Sequence, residues 1–296
     1  MPDKKTILAD HVQFKSQSVD HPAGQKIRVL KVHDALKIAE TCACSVRRVY
    51  ETALALGICP YRYIRNLEAI SLTGQHDLVC SRVAVVGAGG LGGQVILLLA
   101  RLGVGHLVIV DHDIFDETNL NRQALCSGDT LGKAKAHEAV KVVGRINSGV
   151  DMTTHQVRLE ESNADDLLAD SDVVVDALDN IKTRFILEKA AKRLGIALVH
   201  GAVAGFEGRV MTIFPEDHGM ELLYGHDGSM DNSKVTPEAV LGVPALTPAL
   251  IATFQTMEVL KVLLKPETVS RNTMMHVDLE RGEMNKFSFE NSPSTE

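Results

Sequence analysis

Cysteine is scarce in this chain and poorly placed for its structural uses. The 296 residues hold five cysteines, an odd number without framework spacing, and none follows Cys126. That excludes a disulfide scaffold, and reduced thiols in the cytoplasm are the simplest reading. Four-thiolate zinc is excluded from the C-terminal half, and Cys42 and Cys44 with the distant Cys59 lack the paired spacing of a structural zinc site. Basic blocks are lacking too: the net charge is −7, which disfavours a nucleic-acid partner. No uninterrupted apolar run reaches the ~20 residues of a membrane span. The start, Met1 to Lys5, has lysines with no apolar core behind them, so no secretory leader is expected. What remains, 45% hydrophobic and 23% charged, is ordinary soluble globular composition. The length suits one large domain, or one domain with an appendage.

The stretch from Ser81 to Lys135 organises the rest. Val83-Ala84-Val85-Val86 is a β-like run ending in Gly87-Ala88-Gly89-Gly90-Leu91-Gly92. An apolar, alanine-containing segment follows to Leu102, then Gly103, then Leu107-Val108-Ile109-Val110 and Asp111. Strand, glycine turn, helix, strand and acid make a βαβ unit. Its glycines let the backbone approach a phosphate, and the helix start offers free N–H groups. Asp111 stands 24 positions after Gly87, at a strand tip where a carboxylate can accept from ribose hydroxyls. Nucleotide binding follows from that combination.

Past the second strand come Asp113, Asn119, Arg122, Gln123, Lys133 and Lys135. A dinucleotide-binding dehydrogenase has no evident need for this cluster. A triphosphate attacked at its α-phosphate does, because charge builds on the departing phosphates. The order Gly-x-Gly-Gly-Leu-Gly, Asp-x-Asp, Asn-Leu-x-Arg-Gln, Lys-x-Lys resembles the ubiquitin-activating-like adenylyltransferases of the ThiF/MoeB/HesA group. The resemblance covers about Tyr61 to the end and implies ATP, Mg²⁺, a small β-grasp sulfur-carrier protein ending in Gly-Gly, a separate sulfur donor and a homodimer. It implies phosphate or nucleotide contacts for Gly87, Gly89, Gly90, Gly92, Asp111, Asp113, Asn119, Arg122, Gln123 and Lys135. It also implies an arginine, Arg65 by position, that reaches the neighbouring subunit's triphosphate.

The expected fold is α/β, a Rossmann-like doubly wound, mostly parallel sheet with a C-terminal antiparallel extension. A small helical appendage, residues 1–60, precedes an adenylation domain of residues 61–296. Residues 1–30 predict an arm or a short strand at Ile27–Leu30. Two short helices follow, the second capped by Ser45 and stopped by Gly57. They could be a helix-turn-helix, but Lys37, Arg47 and Arg48 are balanced by Asp34, Glu40 and Glu51, so packing or dimerisation is the expected role. Leu67–Leu72 predicts a helix before the first strand. Strands are predicted at 153–157, 173–175, 196–200 and 208–213, helices at 135–147, 163–168 and 180–194. Pro215–Pro244 is rich in Gly, Asp, Ser, Pro and Asn, and a segment of that length is usually functional. In the resembled family it crosses over the adenylation site and guides the carrier's tail. A helix from Thr247 to Leu264 and a hairpin around Arg281-Gly282 close the chain, with a frayed end from Asn291.

Asp176-Ala177-Leu178-Asp179-Asn180 follows the fourth strand, where carboxylates face the ligand crevice. Asp179 could merely cap the next helix. The family's Asp-x-x-Asp-Asn pattern instead implies Mg²⁺ and phosphate on Asp179, with Asp176 in support. Many relatives carry two Cys-x-x-Cys zinc pairs and a crossover-loop cysteine; this chain carries neither. The expected function is therefore adenylation of the carrier's carboxylate with no enzyme thioester. Other readings are adenylation of a peptide or tRNA-linked carboxylate, an NAD-dependent oxidoreductase, and a non-catalytic binding partner.

Overall fold

The computed structural model describes residues 4–21, 23–226 and 236–289. The expected frayed end from Asn291 and the middle of the crossover segment lie outside the described residues.

The described residues up to Leu30 are more ordered than an arm, with the expected short strand in place, and the two expected helices follow them. In order the elements are α1 (Lys4–Lys15), β1 (Gln17–Asp20), β2 (Lys26–Leu30), α2 (Val32–Thr41), α3 (Val46–Ala55) and β3 (Cys59–Pro60). The sequence hides α1 because its apolar residues make no clear stripe; Leu8 and Val12 are nonetheless buried, and the helix packs on α2 and α3. As expected, Ser45 Oγ accepts the Arg48 N–H at 3.3 Å and caps α3, and Gly57 follows it at φ +71°. Both arginines of α3 are paired, Arg47 Nε with Asp151 at 2.6 Å and Arg48 with Glu51 at 2.6 Å. The cysteines here pack or line this small core, and burial pushes the Cys59 thiol up to about 12.

The helix expected at Leu67–Leu72 is absent. Glu68 takes φ +78°, which interrupts any helix there. The helix starts later, as α4 (Leu72–Cys80), with Ser71 Oγ accepting the Gly74 N–H at 3.0 Å.

The main sheet then follows the expected alternation: β4 (Arg82–Val86), α5 (Gly90–Leu102), β5 (His106–Val110), α6 (Lys135–Ile146), β6 (Asp151–His155), α7 (Ala164–Leu168), β7 (Val173–Asp176) and α8 (Ile181–Leu194). After these come β8 (Ala197–Ala204), β9 (Glu207–Ile213), α9 (Glu221–Tyr224), α10 (Pro237–Leu241), α11 (Leu246–Leu264), β10 (Thr273–Asp278) and β11 (Glu283–Ser288). The strand order is β11-β10-β9-β8-β7-β4-β5-β6. Pairing is parallel from β8 to β6 and antiparallel through β9, β10 and β11. This is the Rossmann-like, mostly parallel sheet with an antiparallel extension.

Both faces of the central parallel strands β4, β5 and β7 are covered, which is why those strands are mostly apolar instead of alternating, while the edge strand β6 is polar and half-buried. Val83, Val85, Leu107 and Ile109 pack under α5, α6 and α11, while Ala84, Val86, Val108 and Val110 pack under α7 and α8. The helix α11 is long and apolar enough by composition to cross a membrane. Here it is a core helix: it buries Ile251, Gln255 and Val259 over β8, β9 and α5. Register brings Val86, Val110 and Asp176 level at one end of the sheet. The chain leaves β4 toward β5 on one side, and β7 lies on the other. The crevice at such a reversal is where open α/β sheets bind ligands.

Candidate active site

A cleft of about 500 Å³ opens at that switch point. The glycine loop forms its near wall. Gly87 sits at φ +98°, and a Cβ there would lie 2.5 Å from the Ala177 carbonyl oxygen. A Cβ on Gly92 would fall 1.8 Å from the Gly87 carbonyl oxygen, so this glycine lets α5 close on the loop. Gly89 and Gly90 have a different reason to be bare. Their nearest neighbours are Gln123 Nε2 at 3.7 Å and Arg122 Cγ at 3.4 Å, so they leave the cleft open in front of the start of α5. No side chain caps that start. Its free N–H groups and dipole favour an anion.

Asp111 closes the loop from the β5 side. Its Oδ2 accepts the Ala88 N–H at 2.6 Å, and its Oδ1 accepts the Asp113 N–H at 2.8 Å. Burial raises its pKa, against the pull of those two hydrogen bonds and of Lys135. The carboxylate therefore splints the loop to the strand and keeps lone pairs for hydroxyl donors in the cleft.

Lys135, the first residue of α6, is buried, with Nζ 3.1 Å from Asp113 Oδ2. Arg122 lines the cleft opposite Gly90, and its Nη1 donates to the Thr118 carbonyl at 3.0 Å and to Asn121 Oδ1 at 2.9 Å. Beside it, Gln123 is 6% exposed and its Oε1 has no hydrogen-bond partner. A buried acceptor left single on a cleft wall fits a ligand that donates there. Asn119 is not on the cleft. Its Oδ1 accepts the Asp116 N–H at 3.1 Å, closing the turn that carries Arg122 and Gln123.

On the far wall the two acids separate. Asn180, not Asp179, caps α8, by accepting the Thr183 N–H at 2.9 Å. Asp179 stays exposed on the cleft wall, with one contact, from Asn180 Nδ2 at 3.2 Å. Asp176 is fully buried beneath it. Its Oδ2 accepts from His200 Nδ1 at 2.7 Å, and its Oδ1 accepts the Leu178 N–H at 3.0 Å. Arg184 Nη1 donates to the Tyr224 hydroxyl at 2.6 Å, Arg184 Nη2 donates to the Leu178 carbonyl, and Tyr224 lies 3.3 Å from His200 Nε2. This arrangement assigns the tautomer: Nδ1–H points to the carboxylate, and Nε2 accepts the tyrosine proton. Burial pulls the His200 pKa down to about 4, so the ring is neutral near pH 7. The network fixes the turn that presents Asp179.

Sequence reasoning missed Arg184, His200 and Tyr224. Arg184 lies inside α8, His200 ends an apolar run, and Tyr224 sits in the segment read as a loop, so no motif marked them. His112 was also missed. It lines the cleft, and its ligand atom and those of Asp111 and Asp113 all lie within 4.8 Å of one another. That cluster is already answered by Lys135 on Asp113 and Arg158 on His112, so among the acids at the strand ends Asp179 is the carboxylate with a free face. Arg65 is exposed and does not line the cleft of its own chain; Arg62 is tied to Asn147 and Ile146. Cys126 does not line the cleft either. It borders a separate cavity with Lys133, Lys141 and Arg145.

The chain is 38% identical over 205 residues to the SAMP-activating enzyme E1 of Haloferax volcanii, covering 69% of this chain and 75% of that one. It is 31% identical over 262 residues to adenylyltransferase and sulfurtransferase MOCS3 of Arabidopsis thaliana, covering 86% of this chain and 55% of that one. Among solved structures it is similar to the microcin C7 biosynthetic enzyme MccB in complex with N-formylated MccA, at TM-score 0.68 and 19% identity over 88% of this chain and 84% of that one. The complex of Escherichia coli MccB with ATP gives TM-score 0.66 at 19% identity, over 79% of this chain and 72% of that one. At such identities these likenesses establish the shared fold. A family model matches residues 61–296, the whole of the glycine-loop sheet with its antiparallel extension, and on that match the chain belongs to the ThiF family.

Proposed function

We propose that the protein is an ATP-dependent adenylyltransferase that activates the C-terminal Gly-Gly carboxylate of a small ubiquitin-like sulfur carrier. The observation that carries this is the convergence of Arg122, Lys135 and Asp179 on the cleft beside the uncapped start of α5. The similarity to a SAMP-activating enzyme supports the choice of carrier over another carboxylate. A hydride-transfer site has no evident need for Arg122, Lys135 and Asp179 clustered at the phosphate end, where a dinucleotide has no departing phosphate.

The reaction joins a carboxylate oxygen of the carrier to the α-phosphorus of ATP and breaks the bond from that phosphorus to the bridging oxygen. The electron pair leaves with pyrophosphate. No general base is required, because the carboxylate is already an anion above pH ~5. Catalysis is then positioning and electrostatics. The glycine loop and the start of α5 receive phosphate, Asp111 and Gln123 face the nucleoside, and Arg122 and Lys135 meet the charge that develops on the leaving group. Asp179 would hold a Mg²⁺ ion, a hard cation that takes one or two carboxylates together with phosphate and water, and the ion would supply further charge neutralisation. Arg65 is free on the surface to reach the nucleotide of a second copy, which makes the working unit a homodimer. Half-buried Leu250 and Phe254 and exposed Met257 on α11 offer apolar surface for it. A separate donor brings sulfur to the adenylate, and five unpaired cysteines suit the reducing cytoplasm.

The test is ATP–pyrophosphate exchange with a Gly-Gly-terminated carrier and Mg²⁺. Asp179→Ala should lower exchange roughly 10²-fold or more, while circular dichroism and the unfolding midpoint stay unchanged. Undiminished exchange in that variant would refute the assignment.

A further inference from the structure

The nucleotide cleft does not end at Asp179. Along β8 it adjoins a second cavity of about 190 Å³, and Ala202, Val203 and Glu238 border both. The floor of this trench is Ala202 and Ala204, on one face of β8, and its wall is Pro237 and Leu241 of α10. The wall is fastened: the Gly205 N–H donates to the Gly242 carbonyl at 2.8 Å, and Thr247 Oγ1 donates to the Gly205 carbonyl at 2.7 Å. Small floor residues under a fixed wall leave room for a peptide backbone and little beyond it.

Four polar side chains border the trench, and two of them satisfy each other, Glu207 with His276 at 3.2 Å. The other two are Arg209 and Glu238, both half-buried. Strand register places Arg209 directly across from Ala202 and from His276, so its side chain rises from the floor on the trench side. Its guanidinium stacks 5.0 Å from the Tyr224 ring centroid, and among the described residues it has neither an ion pair nor a hydrogen bond. Glu238 likewise has neither an ion pair nor a hydrogen bond among the described residues, and its charge acts on the buried Arg184 only at longer range. A donor-only group and an acceptor-only group, each single and both half out of water, face the same narrow passage.

We propose that Arg209 and Glu238 are positioning residues that grip the backbone of the incoming carrier tail, Arg209 donating to a tail carbonyl and Glu238 accepting a tail N–H. The inference rests on the proposed function and adds residues to it. An extended chain offers a carbonyl and an N–H in turn, so this pair can hold it without reading side-chain identity. The trench restricts size instead, admitting small residues ahead of the terminal carboxylate. The grip orients that carboxylate toward the glycine loop before chemistry begins.

The experiment compares wild type with Arg209→Gln, Arg209→Lys and Glu238→Ala, using a SAMP carrier ending in Gly-Gly in pyrophosphate exchange. ATP affinity is measured separately, by calorimetry without carrier. Arg209→Gln and Glu238→Ala should each raise the KM for carrier about ten-fold, the scale of a lost hydrogen bond to a charged group, with the Kd for ATP unchanged. Arg209→Lys should recover part of the loss, because the charge stays. An unchanged carrier KM overturns the proposal, as does a loss confined to ATP affinity, which would mean that Arg209 acts only by propping Tyr224. Absence of exchange by the wild type would refute the proposed function itself and this inference with it.

Discussion

The buried His200 ties the stability of the site to pH in a way that can be worked out in advance. In the fold its ring is neutral, fully enclosed, and pinned between Asp176 and Tyr224, with a pKa of about 4 against an ordinary 6.5. Protons therefore bind the unfolded chain first. The neutral ring's contribution is fully present above pH 6.5 and is lost as pH falls toward 4. At ~1.4 kcal/mol per pH unit, the full gap is worth ~3 kcal/mol below both values and ~2 kcal/mol at pH 5. His200→Asn removes the titrating group while leaving an amide in its place. At neutral pH it should destabilise by ~1–3 kcal/mol, because the Tyr224 hydroxyl or the Asp176 carboxylate loses a partner. Between pH 7.5 and pH 5, however, it should lose about 2 kcal/mol less stability than wild type. Urea unfolding of both proteins at the two pH values measures the difference directly. Equal losses in the two proteins, or a folded-state His200 ring that titrates near 6.5 by NMR, would refute the reasoning.

Further outcomes follow from the same geometry. Gly92→Ala places a methyl carbon against the Gly87 carbonyl at an impossible 1.8 Å, so the loop must shift. ATP affinity measured by calorimetry should fall at least ten-fold, with ~1–3 kcal/mol of stability lost in denaturant titration. Cys126→Ser should retain adenylation, since that thiol borders a separate cavity; a thiol-sensitive carrier conjugate that vanishes in this variant would show otherwise. Mixing Arg65→Ala with Asp179→Ala should restore part of the exchange activity if the arginine serves the partner's nucleotide, because a mixed dimer then contains one intact site. If it acts within its own chain, mixing restores nothing.

Much of this protein is legible in one dimension because its signals are local. A glycine loop between an apolar run and a helix, followed 24 residues on by Asp111, states a βαβ unit through steric and dipolar requirements that span a few residues. The doubly wound sheet and most of its strands follow from that unit and from the apolar runs after it. Sequence also placed Arg122, Gln123, Lys135 and Asp179 on the cleft, since they sit in short motifs near strand ends. Tertiary structure decided what depends on distant partners. It made a helix of Lys4–Lys15, whose weak pattern is rescued by packing on α3, and moved the helix before β4 past Glu68 to start at Leu72. It turned Asn119 into a brace for the turn that carries Arg122, and sent Cys126 to another cavity. Above all it gathered Asp176, Arg184, His200 and Tyr224, from a strand tip, a helix, a second strand and a four-residue helix, into one buried network. No spacing in the sequence announces that network, because a hydrogen bond between buried side chains depends only on where the folded backbone places them.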